Sequence, residues 1–283
     1  MDSLEALVAR RFAVAAEPEA VDSIEPTLRG AEGLRLMLDH RVCRAFADTP
    51  LDDELLNLVL AATFSTPSTS DLQQCSVIVV DDPDRRAALS ALIPSMPWIA
   101  AAARFLVFCG DSHRIRAVAE RAGTGFANDH LDAFLNAASD AAMHLSSFIW
   151  AAESLGLGTC AISVLRNHID AVAEIIELPD HVFPLAGMCV GWPAAEQRLS
   201  PRLPLAVTVH RDRYDDSAAS ELIYDYDRRR FGGYVPPAES QPGADRFGVA
   251  DRWGWSVEKS RMVSHRERDQ LAQFLVQRGF NLG

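Results

Sequence analysis

The chain has 283 residues, 48% of them hydrophobic, enough to bury a substantial core as one large domain or one domain with appendages, and a formal net charge of -12. With a pI near 5.1 it has no overall positive field to draw it onto nucleic acid or an anionic membrane, so neither is expected as a partner. The opening "MDSLEALVARRFAVAAEPEA" makes neither a signal peptide nor a membrane span, and five scattered cysteines without a C-x-x-C pair point to reduced thiols in a soluble, cytoplasmic protein.

Residues 1–32 read as an N-terminal extension, a short amphipathic stretch followed by the acidic, proline-bearing "AAEPEAVDSIEPTLRG", packed loosely on a core at 33–214. At "DHRVCRAF" a helical pattern gives way to a turn, and His40, Arg41 and Arg44 fall within five positions. "LDDELLNLVLAATF" has Leu51, Leu55, Leu58 and Val59 on one face and acids in its first turn, which predicts a helix. "CSVIVVDD" predicts a buried strand, "DPDRRAALSALI" a helix and "RFLVFCGD" a second buried strand. The longest helical signal runs from about Asn128 to Leu155, apolar on more than one face, as a central core helix or a subunit contact requires. Gly156 suits its left-handed cap. "TCAISV" and "PLAGMCVGW" read as strands, with a helix between them started by Asn167, carrying Asp170 three residues on, and stopped before Pro179. "LAVTVHRDRY" closes the ordered core. Residues 215–283 form a Gly-, Pro- and aromatic-rich excursion and a terminal helix of the same domain, ending at Gly279.

Of the motifs, "GLGTCA" satisfies G-x-G-x-x-A, but a dinucleotide site needs a strand before the glycines and a helix after them. Here the order is reversed, so the glycines are a helix cap and a close-packing turn. No histidine or cysteine spacing suits a metal, and no G-x-S-x-G elbow supports a hydrolytic triad. What remains is arginine with hydroxyl company: Arg41 and Arg44, then "STPSTSDLQQ" with Ser65, Thr66, Ser68, Thr69, Ser70 and Gln73, then "SPRLP" with Ser200 and Arg202. Guanidinium forks plus hydroxyls are what a phosphate monoester demands, although ordinary surface arginine is the competing explanation for any one pair.

Together these segments resemble the FMN-dependent nitroreductase family, most closely its oxygen-insensitive NADPH nitroreductase and flavin reductase branch. "HRVCRAF" resembles that branch's opening His-Arg-Ser-x-Arg-x-Phe, "STSDLQ" its serine-rich turn, and "AAESLGLG", "LRNHIDAVAEIIELPDHVFPLAGMCVGWP", "PRLPLAVTVH" and "WSVEKSR" follow in its order. The resemblance covers roughly Leu34 onward. It implies an α+β fold, a mixed β-sheet flanked by helices in an intertwined homodimer, with FMN held at the subunit interface. His40, Arg41, Arg44 and Arg202 would hold the phosphate and ribityl end, Ser68, Thr69, Ser70 and Gln73 would reach the flavin or substrate, and Ile162, Ser163 and Val164 would face the ring. Ser70, Asp71 and Arg261 are candidates for substrate or NAD(P)H. The pattern is altered at Val42, where a serine is usual, Met96, where a glutamine is, Ser200, where the branch carries lysine, and "ISV", which replaces a Gly-Gly pair. The implied activity is ping-pong hydride transfer from NADPH or NADH through FMN to nitroaromatics, quinones or flavins as small-molecule acceptors, with no metal and no protein nucleophile. A flavoenzyme of the same fold dedicated to one metabolite, and a flavin-binding protein without turnover, are the alternatives.

Overall fold

The computed structural model describes residues 3–12 and 30–283. In chain order the elements are α1 (Leu4–Phe12), α2 (Ala31–Asp39), α3 (Asp53–Thr63), β1 (Cys75–Val79), α4 (Pro83–Ala91), α5 (Trp98–Ala101), β2 (Arg104–Asp111), α6 (His113–Ala122) and α7 (Leu131–Ser154). There follow β3 (Gly158–Ile162), α8 (Ile169–Ile175), β4 (Val182–Gly191), α9 (Leu205–Thr208), α10 (Ala219–Phe231), α11 (Ala244–Phe247), α12 (Trp255–Val263) and α13 (Leu271–Gln277). They group into two units that interleave along the sequence: Arg41–Arg198 with Glu267–Gly283, and Met1–His40 with Leu199–Arg266.

The first unit is built on a sheet of order β1-β2-β4-β3 with every neighbouring pair antiparallel. β2 reads as an unbroken apolar run because both its faces are covered. Phe105, Val107 and Cys109 join a core with Ile162, Leu165, Phe183, Cys189, Phe274 and Phe280, while Leu106 and Phe108 join one with Leu56, Val59, Phe148, Leu157 and Met188. "DHRVCRAF" does not make the turn expected of it: beyond His40 it runs extended, with Val42 bridging Thr159 in parallel and Phe46 bridging Pro193. Cys43 N–H donates to the Thr159 carbonyl at 2.8 Å, so this segment lies against β3 through one isolated parallel bridge, and the sheet of β1–β4 is antiparallel rather than mixed.

Local chemistry sets the helix ends. Asp52 and Asp82 accept hydrogen bonds from the N–H groups of Leu55 and Arg85 and start α3 and α4. Gly156, at φ 81°, closes α7: its N–H meets the Glu153 carbonyl and that of Leu157 meets Ala152, the paired bonds of a left-handed C-terminal cap. A Cβ at Gly158 would fall 2.6 Å from that of Cys43, so the second glycine of "GLGTCA" does serve close packing. Asn167 is no helix cap. A 3-10 turn over Ser163–His168 precedes α8, and no side chain caps that helix.

In the second unit α1 packs on α2 and buries Leu4 and Leu7. The loose extension expected at the N-terminus is therefore firmly seated over Leu4–Phe12, because Arg11 is buried among backbone carbonyls; "AAEPEAVDSIEPTLRG" lies, except for Gly30, outside the described residues. The excursion holds a 13-residue helix, α10, whose apolar pattern its charges had masked. Buried Asp227 accepts from Ser256 N–H and Oγ, and a Cβ at Gly254 would strike its carboxylate at 2.3 Å, so only glycine fits there. Gln241 knits the loop between α10 and α12 by donating to the carbonyls of Pro236 and Ala250 and accepting from Ala250 N–H. "LAVT" forms one helical turn in this unit.

Candidate functional site

In the sheet-bearing unit, the serine-rich segment folds into a tight turn over Ser68–Gln74. Ser70, Asp71 and Gln73 all have positive φ, between 51° and 55°, a region that residues with a side chain enter at a cost of about 1 kcal/mol or more each. Asp140, in the middle of α7 and 0% exposed, holds it there. Its carboxylate accepts from Ser68 Oγ at 2.7 Å and from the N–H groups of Thr69 and Gln74 at 2.8 Å each. Ser68 Oγ in turn accepts from Gln73 N–H at 2.7 Å. Burial pushes the Asp140 pKa up, but the donors outweigh it, and the carboxyl sits below the ordinary carboxylate value. His144, one turn on, anchors its Nδ1 on the Asp140 carbonyl at 2.7 Å.

The predicted serines thus separate. Ser68 and the Thr69 backbone are spent inside the turn, whereas Ser70, Asp71 and Gln73 are exposed on it, Gln73 donating to Asp71 at 3.1 Å. Asp140 carries no motif, yet a signal was present: it shares the buried stripe of α7 with Ala133, Ala137, Ala141, His144, Phe148 and Ala152, an acid at a core position.

Elsewhere in this unit, Arg44 is exposed and lies over Trp98, its guanidinium carbon 5.7 Å from the ring centroid. Among the described residues no carboxylate pairs with it. Arg41 differs: it donates to the Glu196 carboxylate and to the Gln197 carbonyl at 3.1 Å. Trp98 Nε1 is buried with no hydrogen-bond partner among the described residues. Val42, Met96 and Val164 pack on the apolar core, which accounts for their lack of polarity, while Ile162 is buried at the end of β3 and Ser163 is exposed beyond it. All five cysteines are free and buried, and burial raises the Cys75 thiol to about 12.

In the other unit the "SPRLP" turn is gripped by arginines. Arg11, 4% exposed, donates through Nε to the Leu38 carbonyl at 2.8 Å, through Nη1 to that of Ser200 at 2.8 Å and through Nη2 to that of His40 at 2.5 Å. Arg202 shares the Ser200 carbonyl at 2.9 Å and donates its N–H to the Arg11 carbonyl at 2.6 Å. From α10, Arg230 reaches Ser200 Oγ at 3.3 Å and Tyr226 OH donates to the Pro201 carbonyl at 3.0 Å. Neither Arg202 nor Arg230 has a carboxylate partner among the described residues. The charge of these two arginines suits an anion. Within this unit the structure does bring His40 and Ser200 to one guanidinium, a link sequence reasoning missed.

Arg261 has other employment. It is 7% exposed, donates to the carbonyls of Pro242 and Gly248 at 3.1 and 2.8 Å, and lies between Phe247 and Trp253, with 6.0 and 5.6 Å to the ring centroids. Its fork orders the excursion.

Comparison with known proteins gives a consistent result. Residues 37–192 match the model of the Nitroreductase family and residues 200–283 that of the Nitroreductase family, C-terminal domain; α1 lies outside both. The chain is 34% identical to the oxygen-insensitive NADPH nitroreductase of Salmonella typhimurium, over 87% of this chain and 97% of that protein. It is 30% identical to the FMN reductase (NADPH) of Bacillus subtilis, covering 88% and 98%. The solved structure of Bacillus megaterium NfrA2 superposes with a TM-score of 0.78 at 33% identity, over 89% of this chain and 99% of that one.

Proposed function

The chain belongs to the nitroreductase family, and from that membership we propose that it is an FMN-dependent NAD(P)H oxidoreductase whose acceptors are nitroaromatics, quinones or flavins. The observation that carries this reading is the Ser200–Arg202 turn, where Arg202 and Arg230 meet and neither has a carboxylate partner among the described residues, as a phosphate monoester requires.

When bound, FMN supplies the two-electron chemistry, taking hydride from NAD(P)H and giving it to the second substrate. The chain's own residues bind and orient. Arg202, Ser200 and His40 are assigned to the phosphate and ribityl end, with Arg44 as a further cation. Arg41, paired with Glu196, is assigned to the same end. Val42, Met96 and Ile162–Val164 offer apolar surface and backbone amides for the ring. Exposed Ser70, Asp71 and Gln73, held rigid by Asp140, are assigned to the substrate side, since a strained turn that is over-determined by its supports is where recognition is expected. Arg261 is assigned to ordering the excursion rather than to NAD(P)H.

A homodimer is part of the proposal. Leu131, Leu135 and Met143 on α7 and Leu58 and Phe64 at α3 are exposed, an apolar surface of the kind that subunits cover. The five free cysteines support a reducing, cytoplasmic setting; among the described residues no helix is long and apolar enough to cross a membrane.

The test is direct. Purified protein is expected to carry a yellow chromophore that NADPH or NADH bleaches under anaerobic conditions and that nitrofurazone or a quinone restores. Protein that stays colourless after reconstitution with FMN would overturn the proposal, and bleaching without turnover of those acceptors would favour a dedicated metabolite instead.

A further inference from the structure

We infer that α1 is a strap whose Arg11 is a positioning residue for the phosphate end of the flavin site. The inference rests on the assignment of Ser200–Arg202 to that end. Its basis is one guanidinium serving three carbonyls from two distant stretches of chain, Leu38 and His40 on one side and Ser200 on the other, at 2.5 to 2.8 Å. The link is returned: Arg202 N–H donates to the carbonyl of Arg11 itself at 2.6 Å, and Arg11 and Arg202 share Ser200 as acceptor. Arg11 therefore holds Ser200, two residues before Arg202, and the backbone N–H of Arg202 itself.

Two physical effects follow. A peptide carbonyl turned toward a phosphate repels it, and the carbonyls of His40 and Ser200 are here committed to a buried cation. A turn already tied down also spares the ordering cost that a loose arginine meets when it closes on an anion. Because α1 lies outside residues 37–192 and 200–283, this support is an addition to the family pattern rather than part of it. It also accompanies Ser200, where the resemblance leads one to expect a lysine: Arg11 steadies the turn's backbone from behind.

Riboflavin, which has the ring and ribityl chain but no phosphate, separates positioning of the phosphate end from general scaffolding. The full chain would be stripped of flavin and titrated with FMN and with riboflavin by flavin fluorescence, as wild type, Arg11→Lys and Arg11→Met, with Tm recorded for each. The Lys variant keeps charge without the fork and the Met variant keeps length without charge. Expected is a loss of FMN affinity of about tenfold or more in the Met variant, the scale of one charge-assisted hydrogen bond, with riboflavin affinity held and the Lys variant intermediate. An equal loss for both ligands, or an unchanged FMN-to-riboflavin ratio in folded Arg11→Lys, overturns the inference while leaving the proposed function intact. Wild type that shows no preference for FMN over riboflavin overturns the phosphate assignment itself, and the inference with it.

Discussion

The turn at Ser68–Gln74 is held by a buried carboxylate that collects N–H and O–H donors, whereas the turn at Ser200–Arg202 is held by a buried guanidinium that collects carbonyl oxygens. Each anchor hides one kind of backbone group and so decides what the turn presents. Around Asp140 the donors are consumed, and what faces solvent is hydroxyl, amide and carboxylate from Ser70, Gln73 and Asp71. Around Arg11 the carbonyls are consumed, and what remains is the cationic character of Arg202 and Arg230. The comparison teaches that the outward chemistry of a loop can be set by the charge of a residue beneath it that never touches a ligand.

The strongest way to break this contrast is Asp140→Ala. It strands the Ser68 hydroxyl and the Thr69 and Gln74 amides in a buried place, and should cost about 3 kcal/mol in chemical denaturation. A shift of the denaturant midpoint no larger than that of an exposed control would show that the turn stands without its anchor. Tyr226→Phe comes next: it removes one hydroxyl that donates to the Pro201 carbonyl and accepts from Arg230, and should cost about 1 kcal/mol, with weaker flavin retention as the companion readout. A retained cofactor stoichiometry would argue that the arginine turn does not depend on α10. Ser70→Gly should move the other way, gaining up to about 1 kcal/mol by relieving a positive φ. If the turn's rigidity serves the acceptor, that gain comes with a raised KM for the acceptor.

The two turns should also part company in acid. Because the folded Asp140 carboxyl lies below its unfolded value, the stability it contributes is complete above about pH 4 and is lost as pH falls through the folded value. A guanidinium keeps its charge throughout. Amide hydrogen exchange in mildly and strongly acid buffer should therefore show Thr69 and Gln74 losing protection while Arg202 keeps it, with no difference between pH 5 and 7. Smallest of all, the five cysteines should resist alkylation in the folded protein, since burial raises each thiol, and react once it is unfolded.

Much was legible where the signal is local. "RFLVFCGD" is β2 residue for residue, and the cap at Gly156 needs only a left-handed turn that glycine adopts freely. The arginine and hydroxyl segments were legible as types of residue suited to phosphate. Their sorting was not: nothing in "STSD" says that Ser68 faces Asp140 while Ser70 faces water, because that depends on a carboxylate 72 positions along the chain. Arg41 and Arg44 are likewise alike in sequence, yet one meets Glu196, 155 positions away, and the other lies over Trp98.

By itself, then, the sequence determined most element types of the sheet-bearing unit, the family and the residue chemistry available, because periodicity, capping and turn geometry are settled over a few neighbouring positions. Only the tertiary structure decided which polar groups are spent as anchors and which stand outward. Arg11 is 29 positions from His40 and 189 from Ser200, and Asp140 lies in the middle of a mostly apolar helix face. A buried charge must find its partners wherever the fold brings them, and that pairing leaves no local pattern to read.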